Sequence, residues 1–176
     1  MPTQEKRNDN VKLIRFKGEV KMKLPNGVTG FYEKQNEPPL TKGKAFKILC
    51  YNIIKSKGGR ILEFKEPTAT NFYDVKVNVF NEKFHILLNA HYPLLAFASF
   101  VENGDIDFMD NPDLKKEFNP YYNVLDRNEL NEPIIIKPSS KKFTVENEND
   151  LNKAEWKQLA YWKPDRIGEV IFNIWD

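Results

Sequence analysis

The chain lacks the features that mark an exported protein. It contains 1 cysteine among 176 residues, so no internal disulfide can form. The opening stretch, MPTQEKRNDN, is polar after Met1 and does not have the apolar centre of a secretory signal. Because disulfides persist mainly in oxidising compartments, these features predict a cytoplasmic protein.

Long apolar runs are absent as well. The longest run, ILLNAHYPLLAFASFV, is interrupted by Asn89, His91 and Pro93. It is also shorter than the ~20 residues that an apolar helix needs to cross a bilayer. We therefore expect neither a membrane segment nor a membrane partner.

Signatures of common active sites and cofactor sites are missing too. No serine lies in a nucleophile elbow, and the one close glycine pair, Gly58-Gly59, lacks the wider spacing of a phosphate-binding loop. The sequence therefore predicts no bound cofactor.

The composition itself is that of a folded domain. Apolar residues make up 40% of the chain and charged residues 30%, which is typical of globular proteins. A chain of this length can bury roughly 70% of its unfolded surface. Because apolar content begins only after the first ten residues, we predict a disordered tail over residues 1–10 and a single globular domain over residues 11–176.

The first third of the chain predicts a hairpin and then a helix. Apolar and basic residues alternate over residues 20–24, and the turn sequence Pro25-Asn26-Gly27 should lead into a second strand over residues 28–33. Apolar residues then recur at helical spacing before Gly58-Gly59. These residues are Phe46, Leu49, Cys50 and Ile53.

The middle of the chain predicts an antiparallel meander. Two strand-like segments, RILEFKE and NFYDVKVNVF, precede the long apolar run. Pro93 should split that run into two strands, because proline has no N–H for the ladder. Two further short strands are expected around Leu125 and Ile135.

Helix signals return near the end of the chain. Asp150 is the expected cap of a helix over LNKAEWKQLAYW, and Asp165 is the expected cap of a second helix over RIGEVIFNIWD. The predicted fold class is therefore α+β, with an antiparallel sheet of hairpin and meander packed against one central and two C-terminal helices.

The segment NGDIDFMDNPD carries four aspartates in the nine positions from Asp105 to Asp113. A calcium loop that started at Asp105 would have Met109, Asp110 and Lys116 at positions where ligands or glycine are required. The spacing therefore argues against a metal site.

The same segment fits the end of a strand followed by a capped helix. Asp105 and Asp107 alternate with the apolar Ile106 and Phe108, so both aspartates should be exposed. Either Asp110 or Asn111 would cap the short helix that follows.

The charge is divided along the chain. Residues 1–60 contain 14 Lys/Arg and 5 Asp/Glu, whereas residues 102–132 contain 3 Lys/Arg and 9 Asp/Glu. Such a division of charge bears on binding partners and solubility and does not indicate the fold.

Few residues carry catalytic chemistry. The two histidines, His85 and His91, are six positions apart, which would place both on one face of a regular strand. With Asp105 and Asp107 they would supply a site of imidazole and carboxylate groups. Cys50, within KILCYNII, is expected to be an inert, buried residue rather than a nucleophile.

The leading hypothesis is a non-enzymatic protein-binding module, such as an inhibitor or immunity-type protein that acts on a basic partner. All 3 tryptophans lie near the C-terminus, and Tyr161-Trp162 beside Pro164 should be partly exposed. The predicted contact residues are Asp105, Asp107, Asp113, Tyr161 and Trp162.

Two alternatives remain open. The first is a hydrolase whose site contains His85, His91, Asp105 and Asp107. The second is a binder of single-stranded nucleic acid through the basic N-terminal hairpin, because basic residues mixed with aromatics on a sheet bind single strands.

Overall fold

The computed structural model describes residues 13–16, 19–138 and 143–175. The predicted tail, residues 1–10, lies outside the described residues. The strands are β1 (Leu13–Phe16), β2 (Glu19–Met22), β3 (Arg60–Lys65), β4 (Phe72–Val79), β5 (Glu82–Asn89), β6 (Leu94–Glu102), β7 (Asp105–Met109), β8 (Asn123–Val124), β9 (Ile136–Pro138) and β10 (Phe143–Val145). The helices are α1 (Gly43–Ser56), α2 (Pro112–Phe118), α3 (Arg127–Leu130), α4 (Lys153–Trp162) and α5 (Ile167–Ile171), with a 3-10 turn over Lys34–Asn36.

A six-stranded sheet organises the described residues. Its order is β3-β4-β5-β6-β7, all antiparallel, and β8 adds a parallel pairing to β6. Pro93 separates β5 from β6, as predicted, and short strands lie next to Leu125 and Ile135. The predicted α+β fold class is confirmed.

Two tight turns set the register of the meander. Phe80 and Asn81 join β4 to β5, with φ angles of 52° and 64°. Asn103 and Gly104 join β6 to β7, with φ angles of 51° and 88°. Two successive residues in the left-handed region form the hairpin turn whose twist matches that of the flanking strands.

The sheet carries a hydrophobic core on each face. On one face, called here the α1 face, α1 and α2 pack against Val75, Val77, Phe84 and Ile86. On the other, called the C-terminal face, α5 and α4 pack against Phe72, Leu87, Ile106 and Phe108. The alternation of side chains along each strand assigns every residue to one face or the other.

Helix α1 confirms the predicted central helix. Its buried residues are Phe46, Leu49, Cys50, Ile53 and Ile54. Cys50 is a free thiol, and burial raises its pKa above the ordinary value. The residue therefore packs as a small apolar group, because the neutral thiol is favoured and the reactive thiolate is not.

The N-terminal hairpin is present but lies earlier in the chain than predicted. Its strands are β1 and β2, with Leu13 opposite Met22. The predicted strand over residues 28–33 is wrong, because this segment forms turns and a bend. Its backbone groups are bound elsewhere: the N–H groups of Gly27 and Thr29 donate to the carboxylate of Glu155, at 2.6 and 3.0 Å.

The caps of both C-terminal helices also differ from the prediction. Asn152, rather than Asp150, caps α4: its side chain accepts from the N–H of Glu155 at 3.1 Å, and Glu155 accepts in return from the N–H of Asn152 at 3.2 Å. Asp150 instead forms an ion pair with Lys23 at 3.0 Å. The reciprocal pair of bonds outcompetes the aspartate because it satisfies two free N–H groups at once.

The last helix is shorter than predicted and begins after Arg166 rather than after Asp165. The N–H of Asp165 donates to Glu169 at 2.7 Å, so its backbone is held by the helix that follows. The helix ends at Ile171, and Asn173 then directs its side-chain amide to the carbonyls of Thr29 and Val170. These bonds replace the next helical turn.

The side chain of Glu155 on α4 is fully buried, with 0% exposure, against the N-terminal turn at Gly27 and Thr29. It accepts hydrogen bonds from the N–H groups of Gly27, Thr29 and Asn152, from the Thr29 hydroxyl and from the Asn152 side-chain amide. Burial raises the pKa of Glu155, and the bonds from Thr29, Gly27 and Asn152 partly offset that shift. The donors surround an acceptor-only group, so its position is fixed from several directions.

Two asparagine amides fasten the same region to the sheet. Asn71, just before β4, donates to the carbonyls of Val28 and Ile171 at 2.8 and 2.9 Å. Asn89, at the end of β5, donates to the same two carbonyls at 2.9 and 2.8 Å. Both asparagines are buried. The N-terminal turn and the end of α5 are therefore tied to the sheet and to each other.

We predict that Glu155→Ala lowers the free energy of unfolding by about 3 kcal/mol or more, because the buried donors lose their acceptor. Glu155→Gln should cost less, because one amide oxygen still accepts. Urea unfolding of both variants measures the effect, with Lys157→Ala on the exposed face of the same helix as the control. Equal stability of the Glu155→Ala variant and the control would contradict this role.

Candidate functional site

The acidic segment has the local structure that the sequence predicts. Asp105 and Asp107 are exposed on β7, while Ile106 and Phe108 are buried. Asn111 caps α2 by accepting from the N–H of Leu114 at 3.1 Å.

The other two aspartates of the segment have partners. Asp110 is not the cap of α2; it accepts from the N–H of Arg127, the first residue of α3, at 2.8 Å. Asp113 forms an ion pair with Lys57 at 3.2 Å. Among these four aspartates, Asp113 is the one whose charge is offset by an ion pair within the described residues.

The structure does not assemble the predicted site of two histidines and two aspartates. His85 alternates with Phe84 and Ile86, whose side chains pack on the α1 face, so His85 lies on the C-terminal face. Asp107 alternates with residues of the C-terminal face and therefore lies on the α1 face. The sheet stands between them.

His91 is not on the strand that its spacing predicts. Strand β5 ends at Asn89, and the His91 ring lies against the N-terminal segment, with Nδ1 at 2.8 Å from the carbonyl oxygen of Pro39. Among the described residues, no group of three or more His, Cys, Asp or Glu side chains is arranged to hold a metal ion.

A cleft of about 460 Å³ opens at the edge of the C-terminal core, and we call it the C-terminal cleft. Its apolar floor includes Phe72, Ile106 and Phe172, which are buried. Loop residues 68–70 and the turn between β6 and β7 form its sides. Its charged lining residues are Lys65, Glu66, Asp74 and Glu102.

Asp74 is the least exposed of these charged groups, at 9%. The Nδ1 of His85 hydrogen bonds to its Oδ1 at 2.7 Å, across two neighbouring strands of the sheet. This bond fixes the orientation of the carboxylate in the wall of the cleft. Lys65, opposite Asp74 in the register, pairs instead with Glu63 at 3.7 Å.

An aromatic cluster at the end of α4, called here the aromatic surface, comprises Tyr161, Trp162 and Trp175. Tyr161 is 77% exposed and Trp162 is 39% exposed. The Trp162 ring stacks on Trp175 with centroids 6.3 Å apart and 5° between planes, and its Nε1 donates to Gln158 at 3.0 Å. The prediction that Tyr161 and Trp162 are exposed is confirmed.

Two consecutive C-terminal residues contact the cleft, the aromatic surface and the β6–β7 turn, which we call the acidic turn for its exposed Glu102, Asp105 and Asp107. Ile174 lines the cleft, and a Cβ built on Gly104 would lie 3.1 Å from its Cδ1. Trp175, the next residue, belongs to the aromatic surface and also lines a second cleft of about 300 Å³ with His91 and Leu40. The last described residues therefore connect all three features.

Sequence reasoning missed two groups, the Asp74–His85 pair and Glu129. Asp74 was visible only as a polar residue in a valine-rich strand, and its partner is 11 positions away. One sequence signal could have found the pair, since both residues occupy polar positions in the apolar–polar alternation of neighbouring strands. Which residues face each other depends on strand register, which the two-residue turn at Phe80 sets.

No protein-family model, no curated protein and no solved structure matched this chain in the three comparisons. Among the described residues, no helix is both long and apolar enough to cross a membrane.

Glu129 provides a test of the electrostatics at the end of α3. Burial, followed by repulsion from Asp126, raises the pKa of Glu129 from 4.5 to about 7. The folded protein therefore holds this proton more tightly than the unfolded chain. The protonated Glu129 carboxyl contributes fully to the free energy of unfolding below pH 4.5, and this contribution is lost as the pH rises towards 7.

We predict that Glu129→Gln removes this loss, so that the variant gains stability relative to the unchanged protein as the pH rises from 4.5 to 7. Urea unfolding at several pH values across this range measures the difference. The exposed Glu37→Gln is the control and should leave the pH dependence unchanged. Parallel stability curves for Glu129→Gln and the unchanged protein would contradict the assignment.

Proposed function

We propose that this chain is a non-enzymatic protein-binding module, of the inhibitor or immunity type, that holds a basic protein partner. The observation that carries the proposal is the exposed aromatic surface of Tyr161, Trp162 and Trp175. Ile174, the residue before Trp175, lines a cleft whose charged lining residues are mainly acidic.

The aromatic surface has the character of an interface centre. Exposed tryptophan and tyrosine side chains supply a large contact area and are enriched among the residues that dominate binding energy. Trp162 is held by its stack on Trp175 and its bond to Gln158, so little side-chain freedom is left to lose on binding.

The acidic turn supplies the charge that a basic partner would meet first. Glu102, Asp105 and Asp107 are exposed at or near the hairpin end. A local excess of one charge raises the rate of encounter with a partner of opposite charge and depends strongly on salt. Asp113 should contribute less, because Lys57 neutralises it.

The two alternative functions have weaker support. A hydrolase would now depend on the Asp74–His85 pair, yet among the described residues no hydroxyl or thiol group hydrogen bonds to either side chain. For a binder of single-stranded nucleic acid, Lys12 and Lys17 of the basic hairpin lie outside the described residues. The exposed aromatic surface is formed by C-terminal residues and not by the basic hairpin on which the nucleic-acid hypothesis rests. We also propose a cytoplasmic location, which the free, buried Cys50 supports.

We predict that Asp105→Asn/Asp107→Asn slows association with the basic partner by several-fold at low salt, because the steering charge is lost. The association rate should also become less sensitive to salt. The partner is recovered by pull-down from the native cell, and rates are measured by stopped flow across a range of ionic strength. Asp113→Asn is the matched control. Identical rates and salt slopes for the double variant and the control would contradict steering by the acidic turn.

We also predict that Tyr161→Ala and Trp162→Ala speed dissociation of the same complex by about tenfold or more, the effect expected of interface anchors. Ile48→Ala, at an exposed apolar residue of α1, is the control. Thermal melting of each free variant separates lost binding from lost folding. Unchanged dissociation rates for both aromatic variants would show that the aromatic surface is not the binding surface.

A further inference from the structure

We infer that the C-terminal cleft binds an arginine side chain of the protein partner. This inference rests on the proposed function and specifies the chemistry of the contact. It combines three properties of the cleft: its apolar floor, its excess of carboxylates and the fixed position of Asp74.

The floor suits the stem of a long side chain. Phe72, Ile106 and Phe172 present apolar atoms at the base of a cleft of about 460 Å³. Long basic side chains bury their methylene groups against such surfaces while the charged head contacts polar groups. The cleft is large enough for one such side chain together with part of the backbone that carries it.

The charge of the lining favours a cation. Glu66, Asp74 and Glu102 line the cleft with one lysine, Lys65, which has a neighbour of its own in Glu63. A cationic group in the cleft would therefore meet carboxylates that Lys65 does not fully neutralise.

Asp74 gives the cleft its specific contact. The carboxylate is largely buried, so a bond to it is poorly screened by solvent. His85 holds Oδ1, which leaves Oδ2 as the acceptor for an incoming donor. His85 is thus a positioning residue, since it fixes Asp74 and does not itself line the cleft.

Arginine matches the apolar floor and the carboxylates of the cleft better than lysine does. The planar guanidinium carries five N–H donors, so it can bond to Asp74 and reach a rim carboxylate at the same time. It also packs favourably over aromatic rings. The same face of the sheet already shows this preference, because the guanidinium of Arg166 lies 5.0 Å above the ring of Phe108 and donates to the carbonyl of Ile106.

The test is a titration of the full chain with N-acetyl-Gly-Arg-Gly-amide, followed by NMR. We expect amide shifts at the cleft, including Asp74, Gly104 and Ile174. The same peptide with citrulline, which keeps the shape and loses the charge, should give none. The lysine peptide should bind several-fold more weakly, because it lacks the planar donor set.

Variants locate the contact. Asp74→Asn should weaken the arginine peptide by about tenfold, the loss expected for a charge-assisted hydrogen bond. Glu82→Gln, at the exposed first residue of β5 and outside the cleft, should change nothing. If Asp74→Asn does not fold, Glu66→Gln/Glu102→Gln takes its place, because both glutamates are exposed, and it should weaken binding several-fold.

The inference is overturned by equal shifts with the citrulline or lysine peptide or by shifts confined to residues outside the cleft. Tighter binding of free arginine than of the peptide also overturns it, because that result would indicate a small-molecule site. The two proposals fail separately. A basic partner that binds the acidic and aromatic surfaces while the peptide does not bind removes only the inference. Peptide binding without any protein partner removes the proposed function.

Discussion

The packing of the N-terminal turn and α4 against the sheet depends first on one buried carboxylate. Glu155 lies 128 positions from Gly27 in the chain, yet it accepts that residue's N–H at 2.6 Å and holds the neighbouring turn through Thr29. A buried carboxylate is costly unless it is fully bonded, so the turn and α4 can only be stable together. This interaction brings the two ends of the described chain to the same face of the sheet. The amides of Asn71 and Asn89 then fix that assembly to the sheet through the shared carbonyls of Val28 and Ile171.

The proposed binding surface depends on this closure. Once α5 ends at Ile171, the last residues run in an extended path, with Asn173 bonded to Thr29 and Val170. That path carries Ile174 to the acidic turn and Trp175 to the stack with Trp162. A longer helix would have carried these side chains elsewhere. The C-terminal backbone therefore supplies one lining residue of the cleft and one ring of the aromatic surface, and the proposed protein-binding role uses both.

The two faces of the sheet decide which residues can act together. Asp105 and Asp107 meet solvent from one face, whereas the Asp74–His85 pair lies on the other. Only the second pair is beside the cleft, and Asp74 alone lines it. Because the sheet separates the two pairs, a catalytic site that combines Asp74 and His85 with Asp105 and Asp107 is disfavoured. In the proposed binding role the acidic turn attracts a cation and Asp74 holds it, and these electrostatic tasks need no nucleophile.

Local patterns in the sequence determined much of the fold, because they depend on neighbours along the chain. The period of apolar residues gave α1, the alternation around Val75 and Val77 gave β4, and Pro93 gave the break between β5 and β6. Exposure of Asp105, Tyr161 and Trp162 was readable for the same reason. The cap at Asn152 could also have been predicted, because Asn152 and Glu155 are three positions apart as in a capping box. Only the tertiary structure decided the bond of Gly27 to Glu155 and the pairing of Asp74 with His85. Each depends on a partner brought close by strand register or by chain closure, and a linear pattern does not encode either contact.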